Sequence, residues 1–368
     1  MGLRTLSSNH KLSMKSNSVL LLTLPVCMLF LHGCRSTDAG GDSAGGSLAP
    51  PSTVRNNKGE PFGSLEVKDP QFLTLIAPST PLEKLASGFD WSEGPVWIKD
   101  GGYLVFSDVP SNTVYRWTPG KGMSVHLHPS GYTGSEPRGG EPGSNGLTVD
   151  SQGRLTLCEH GDRRVGRIEK DGRHVTVVDR YNGKRFNSPN DLVFHSNGDL
   201  YFTDPPYGLV KNMEDPKKEL SFQGVYRLKP NGQLTLLTDK VSRPNGIALS
   251  PDEKTLYVAV SDPNRPVILA FDVQADGTIA SERVLFDAKP LMIPGNKGLP
   301  DGLKVDRKGN LFATGPGGVL VITPKGQHLG TIKTGEATAN CGWGDDGSTL
   351  YITADMYLAR IKTLTKGF

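Results

Sequence analysis

Six times along the chain a short polar phrase leads into a run of apolar and β-branched residues, at a repeating distance. The phrases open at Glu93-Gly94-Pro95, Asn145-Gly146-Leu147, Asn190-Asp191-Leu192, Asn245-Gly246-Ile247, Asp301-Gly302-Leu303 and Asn340-Cys341-Gly342. With Glu93, Asn145, Asn190, Asn245, Asp301 and Cys341 as the equivalent positions, successive repeats lie 52, 45, 55, 56 and 40 residues apart. Each phrase runs on to a turn, such as Asp150-Ser151-Gln152-Gly153 or Asp306-Arg307-Lys308-Gly309. A β-rich run follows, as in Leu200-Tyr201-Phe202-Thr203, and then a gap and a further run, as in Gly224-Val225-Tyr226-Arg227-Leu228. Short strands and turns repeating every 40 to 50 residues or so predict an all-β chain folded as a β-propeller, with six blades for six repeats. Helical periodicity is nearly absent, and 45 Gly with 27 Pro suit a turn-rich β chain.

The ends break the pattern. Lys11 and Lys15 precede an apolar run from Val19 to Leu31 that stops at Gly33-Cys34. Charge, length and the small-residue end predict a signal peptide over residues 1–34; the run is short of the ~20 residues of a membrane span. Leu31-His32-Gly33-Cys34 resembles a bacterial lipobox, so the expected setting is periplasmic or outer-surface, lipid-anchored through Cys34. Residues 35–65 are rich in Gly, Ser and Pro and read as a flexible tether. Residues 66–368 are expected to form the propeller. Phe72-Leu73-Thr74-Leu75-Ile76 reads as a lone strand, expected to join the last blade and close the ring.

Composition narrows the picture further. Roughly 300 residues suffice for a core without disulfides, and Cys158 and Cys341, the two cysteines of the fold, read as buried free thiols rather than a bridge. With 41 basic and 38 acidic residues the net charge of +3 gives no reason to expect nucleic acid as a partner. Two long connections, Met123 to Ser144 and Tyr207 to Gln223, are either lids over the channel mouth or inert inserts.

Radial repetition puts the six equivalent positions on one ring around the channel. Five of the six side chains, Glu93, Asn145, Asn190, Asn245 and Asp301, offer carboxylate or amide oxygen. Hard oxygen donors suit one divalent cation, Ca²⁺ first, with Mg²⁺ or Mn²⁺ as alternatives, rather than Zn²⁺. Two carboxylates in one channel repel unless a cation lies between them.

Ser92-Glu93-Gly94-Pro95-Val96-Trp97, Ser188-Pro189-Asn190-Asp191, Phe202-Thr203-Asp204-Pro205-Pro206-Tyr207-Gly208, Arg243-Pro244-Asn245-Gly246 and Pro300-Asp301-Gly302 resemble the gluconolactonase and senescence-marker-protein (regucalcin) family. Cys158-Glu159-His160-Gly161-Asp162-Arg163-Arg164 is similar to its bacterial gluconolactonase branch, and the likeness covers roughly residues 80 to 362. The resemblance implies a six-bladed propeller with one catalytic divalent ion held by Glu93, Asn245 and Asp301. It implies Asn190 beside the metal or substrate, and Asp301 as general base. Animal members carry Arg two residues before that Asn, where this chain has Ser188, so their grip on sugar does not carry over.

The chemistry of such a ring agrees with hydrolysis of a lactone: a cation polarises the carbonyl and a carboxylate activates water. His160 is a candidate second acid–base group, or a structural histidine. Asn145, Asn190, Asp204 and Tyr207 are candidates for substrate contact, with turn-capping the other role open to Asp204. Two other readings stay open at this point: an aryl-esterase or organophosphate hydrolase on the same site, and a non-catalytic binding lipoprotein that uses Ca²⁺ for rigidity.

Overall fold

The structure, a computed structural model, describes residue 51 and residues 53–367. The signal peptide, Cys34 and the first part of the tether lie outside the described residues. Six antiparallel sheets form the blades of a propeller. The first blade is Ser92–Ile98, Tyr103–Asp108, Thr113–Thr118 and Gly122–Leu127. The second is Ser144–Val149, Leu155–Glu159, Arg164–Ile168 and His174–Val178, and the third Leu192–Phe194, Leu200–Asp204, Gly224–Leu228 and Leu234–Thr238. The fourth is Pro244–Leu249, Thr255–Val260, Val267–Val273 and Ile279–Asp287, and the fifth Leu303–Val305, Leu311–Gly315, Gly318–Ile322 and His328–Lys333. Among the described residues no helix is long and apolar enough to cross a membrane.

Middle strands such as Leu311–Gly315 are buried along their whole length because both of their faces are covered by neighbouring blades. Ala248, Tyr257 and Ile268 of the fourth blade, for example, pack with Leu303, Leu311 and Leu320 of the fifth. The glycine that follows the ring residue is a packing requirement as well as a turn signal. A Cβ on Gly246 would stand 2.2 Å from the Asp301 carbonyl oxygen, so only glycine lets adjacent inner strands come this close. Hydroxyls of one blade then cap ring carbonyls of the next. Ser107 Oγ donates to Asn145 O (2.9 Å), Thr203 Oγ1 to Asn245 O (2.7 Å) and Thr314 Oγ1 to Ala339 O (2.9 Å).

The sixth blade joins the two ends of the described chain. Thr338–Gly344, Thr349–Ala354 and Tyr357–Lys362 are completed by Leu82–Ser87. The strand expected at Phe72–Ile76 is instead a short 3₁₀ turn, Pro70–Thr74. Asp69 accepts from the Gln71 N–H and Pro70 starts the turn, which is helix-opening chemistry. Its apolar residues Phe72, Leu75 and Ile76 are buried between the fifth and sixth blades, which explains why they are apolar without being a strand.

The tether expected over residues 35–65 also ends early. Arg55–Phe62 pairs with Leu82–Ser87 as a fifth strand of the last blade, and Ser64–Val67 pairs with His328–Lys333 as a fifth strand of the fifth blade. Such outer strands need only backbone partners and stay polar, so composition hides them. Gly63, at φ 65°, makes the step from one blade to the other. Cys158 and Cys341 are buried free thiols.

Candidate active site

A cavity of about 440 Å³ opens where the first strands of the blades begin. Glu93, Asn145, Asn190, Asn245 and Asp301, from five blades, all line it. The sixth position is a correction. Cys341 packs in the core and its thiol meets the Phe312 carbonyl. Asn340, one residue earlier, takes the ring register, and a slip of one residue in a strand turns a side chain to the opposite face. Asn340 does not line the cavity. Its amide lies beneath, donating to Glu93 Oε2 (3.1 Å) and reaching Asp191 Oδ2 (3.5 Å).

The electrostatics are those of anions with too little counter-charge. Glu93 is fully buried and pushed up to about 8, by burial first and the Asp191 charge second, against hydrogen bonds from Asn340 and the Gly94 N–H. Asp301 is held well above the ordinary aspartate range by burial and then by Glu93, Asp191 and Glu141. Asp191 is raised by burial although the Lys304 charge pulls it down. Three side-chain oxygens in this ring, Asn145 Oδ1, Asn190 Oδ1 and Asp301 Oδ1, are buried with no hydrogen-bond partner. Buried polar atoms are rarely left so.

This donor set fits a hard divalent cation: carboxylate and amide oxygen, no thiolate, and a surplus of negative charge. Among the described residues, His, Cys, Asp and Glu alone form no cluster of three able to hold a metal ion. The set relies on asparagine amides for the remainder. Asn245 is already oriented for the task. Ser261 Oγ spends its proton on the Pro300 carbonyl, so it can only accept from Asn245, and Asn245 Nδ2 lies 3.0 Å away.

The other expected site residues divide. Tyr207 lines the cavity, its hydroxyl donating to Ser261 O (3.2 Å). Asp204 does not. It is fully buried and accepts from the Asn187 N–H (2.9 Å) and the Ser188 N–H (2.8 Å), so the substrate contact expected of it gives way to capping the turn ahead of Asn190. His160 is also fully buried and stands behind the cavity wall, touching Asn190 and Glu141 rather than the open space. The catalytic contact expected of His160 is therefore replaced by contact through its neighbours. Ser188 donates to Pro205 O and accepts from the Gly208 N–H, a structural task.

Both long connections reach the mouth: one contributes Glu141 and the other Tyr207. Arg138 ties them, donating to Glu141 O (3.1 Å) and to Gly208 O. Glu141, Asp191 and Asn340 are the residues that sequence reading missed. The length of the first insertion was the signal for Glu141, and the ring alignment was the signal for Asn340.

A larger cleft of about 660 Å³ lies at the other end of the strands, among turns of the second and third blades. Its acids each have a basic neighbour, Asp150 (2.7 Å) and Glu169 (3.0 Å) in Arg154 and Glu253 (3.3 Å) in His195. Volume favours this cleft, and chemistry favours the smaller cavity.

The SMP-30/Gluconolactonase/LRE-like region model matches residues 91–355. The chain is 43% identical to the gluconolactonase of Zymomonas mobilis over 318 residues, covering 85% of this chain and 89% of that protein. A solved gluconolactonase structure from Xanthomonas campestris superposes with a TM-score of 0.72 at 33% identity, over 86% of this chain and 99% of the other. A calcium-binding regucalcin structure from Agrobacterium tumefaciens shares the fold, with a TM-score of 0.59 at 18% identity over 76% and 92% of the two chains. On this breadth of match the chain belongs to the SMP-30/gluconolactonase/LRE-like family.

Proposed function

We propose that this protein hydrolyses a sugar lactone to its aldonic acid at the ring of Glu93, Asn145, Asn190, Asn245 and Asp301, around one divalent cation, Ca²⁺ before Mg²⁺ or Mn²⁺. The observation that carries the reading is the convergence, on one cavity, of repelling buried carboxyls with three amide and carboxyl oxygens that have no partner in the protein. Glu93, Asn190, Asn245 and Asp301 are the residues to hold the ion. When bound, it supplies Lewis-acid polarisation of the ester carbonyl.

The chain's own residues supply the rest. Asp301 Oδ1, buried at the cavity wall and free of protein partners, is the group to take a proton from the attacking water. Water oxygen bonds to the carbonyl carbon, the bond from that carbon to the ring oxygen breaks, and the proton held at Asp301 passes to the departing oxygen. Lactone plus water thus becomes one hydroxy acid. Trp91 and Met292 give the cavity apolar walls and Tyr207 a further ring, so the organic face of the substrate meets carbon while its oxygens meet the ring.

The test is a hydrolysis screen of sugar lactones, simple γ-lactones and aryl esters on chelator-treated protein, with and without added Ca²⁺, Mg²⁺ or Mn²⁺. Sugar-lactone turnover that drops at least a hundredfold without cation and returns on adding one is the expected result. Undiminished turnover in metal-free protein overturns the cation, and turnover confined to aryl esters overturns the substrate.

A further inference from the structure

For three residues of the ring an orienting partner can be read from the geometry. Asn340 and the Gly94 N–H hold Glu93, and Ser261 holds Asn245. For Asn190 the partner is His160. The imidazole is wholly buried, with Nε2 3.5 Å from Asn190 Nδ2, the outer limit of a hydrogen bond, and Nδ1 3.2 Å from Glu141 Oε2. The Nδ1 approach faces the carboxylate at close range but off the line of a full hydrogen bond. Both insertions pack against His160. A Cβ on Gly208 would come within 2.4 Å of His160 Cβ, and the His160 N–H donates to Gly143 O (3.1 Å).

The two contacts are linked by proton accounting. A carboxylate only accepts, so Glu141 selects the tautomer with hydrogen on Nδ1. Nε2 is then an acceptor, and of the two ends of the Asn190 amide only the NH₂ can face it. Asn190 Oδ1 is thereby turned away from His160, and it is one of the partnerless buried oxygens. We infer that His160 is a positioning residue: with its tautomer set by Glu141, it locks the Asn190 amide with Oδ1 presented to a cation in the cavity. Arg138, which anchors the backbone of Glu141 to the second insertion, holds the selecting carboxylate in place. This inference rests on the cation reading above, and its test separates the two.

Ca²⁺ binding to the metal-free protein is measured by titration calorimetry. His160→Leu removes the acceptor and is expected to weaken Ca²⁺ binding by roughly 10- to 100-fold, the range for partners that orient a metal ligand. His160→Gln offers an amide oxygen to Asn190 and an amide NH₂ to Glu141, and is expected to restore affinity to within about threefold by the same hydrogen-bond accounting. In an Asn190→Asp background, where neither side-chain end is a donor, adding His160→Leu is expected to cost less than about threefold. Unaltered affinity in His160→Leu, or the same loss in both backgrounds, overturns the inference. Should His160→Leu not fold, the imidazole ¹⁵N resonances of the wild-type protein decide: a protonated Nδ1 with a bare Nε2 supports it, and hydrogen on Nε2 overturns it. A wild-type protein that takes up no Ca²⁺ sinks the cation reading, while the tautomer measurement still judges His160.

Discussion

The two ends of the strands make a controlled comparison within one molecule. Both carry clustered charge, both open to a cavity, and both are built from the same repeated blade. At the far end Asp150 is held below the ordinary aspartate value. Burial pushes it up, but hydrogen bonds from Arg154 outweigh that effect. At the ring end Glu93 is pushed up to about 8, by burial first and the Asp191 charge second, and the hydrogen bonds from Asn340 and the Gly94 N–H do not offset them. The repeat explains the shared architecture; the pairing of charge explains why only one end is poised for chemistry. Perturbed acids without counter-charge in a concave site mark function more reliably than volume does.

The largest effect to expect from probing this contrast is at Asp301. Asp301→Asn keeps the shape and removes the proton acceptor, so kcat for lactone hydrolysis should fall by about 10³-fold, within the usual span for a general base, with the fold intact by circular dichroism. A loss below tenfold would assign the base elsewhere. Next comes the pH response of the metal-free protein. Glu93 has its folded-state value raised above the ordinary 4.5, so its contribution to stability is present below that pH and lost as pH rises toward about 8. Asp301, shifted in the same direction, adds to the loss. Asp150 works oppositely, and its contribution is lost in acid, below that window. The melting temperature without cation should therefore decline between about pH 5 and 8, and Ca²⁺ should raise it more at pH 8 than at pH 5. A flat or rising curve would contradict the charge surplus. The smallest effect belongs to the far end. Arg154→Gln disturbs a matched, partly exposed network, and should cost about 1 kcal/mol or less, near 2 °C in melting temperature, with kcat/KM within twofold of wild type.

Much of this was legible before any coordinates. Turn chemistry and strand runs recur at a fixed interval, so blade number and the meeting of Glu93, Asn145, Asn190, Asn245 and Asp301 follow from counting. Counting failed where the repeat is imperfect. In the last blade cysteine stands where four of the other five repeats place glycine, and alignment on Gly342 shifts the ring position from Asn340 to Cys341. The apolar run at Phe72–Ile76 was read as a strand because short apolar runs carry no period to separate strand from buried turn. The true closing strand, Leu82–Ser87, has Glu83, Lys84 and Ser87 among six residues and sends a weak signal. The contacts made by Glu141 and by the inward partners of the ring are hard to read for a different reason. They arrive on insertions or through contacts between blades, which no single repeat encodes.

The sixth blade has a consequence for biosynthesis. Leu82 lies beside Ile361 and Ser87 beside Tyr357, so a segment made ahead of the first blade waits on one made after the fifth. A nascent polypeptide emerging from the ribosome can zip up its five other sheets one after another, but the circle stays open until Tyr357–Lys362 has followed them. During that interval Leu82–Ser87 can pair with Arg55–Phe62 along one edge, while its other edge stays bare until Tyr357–Lys362 arrives.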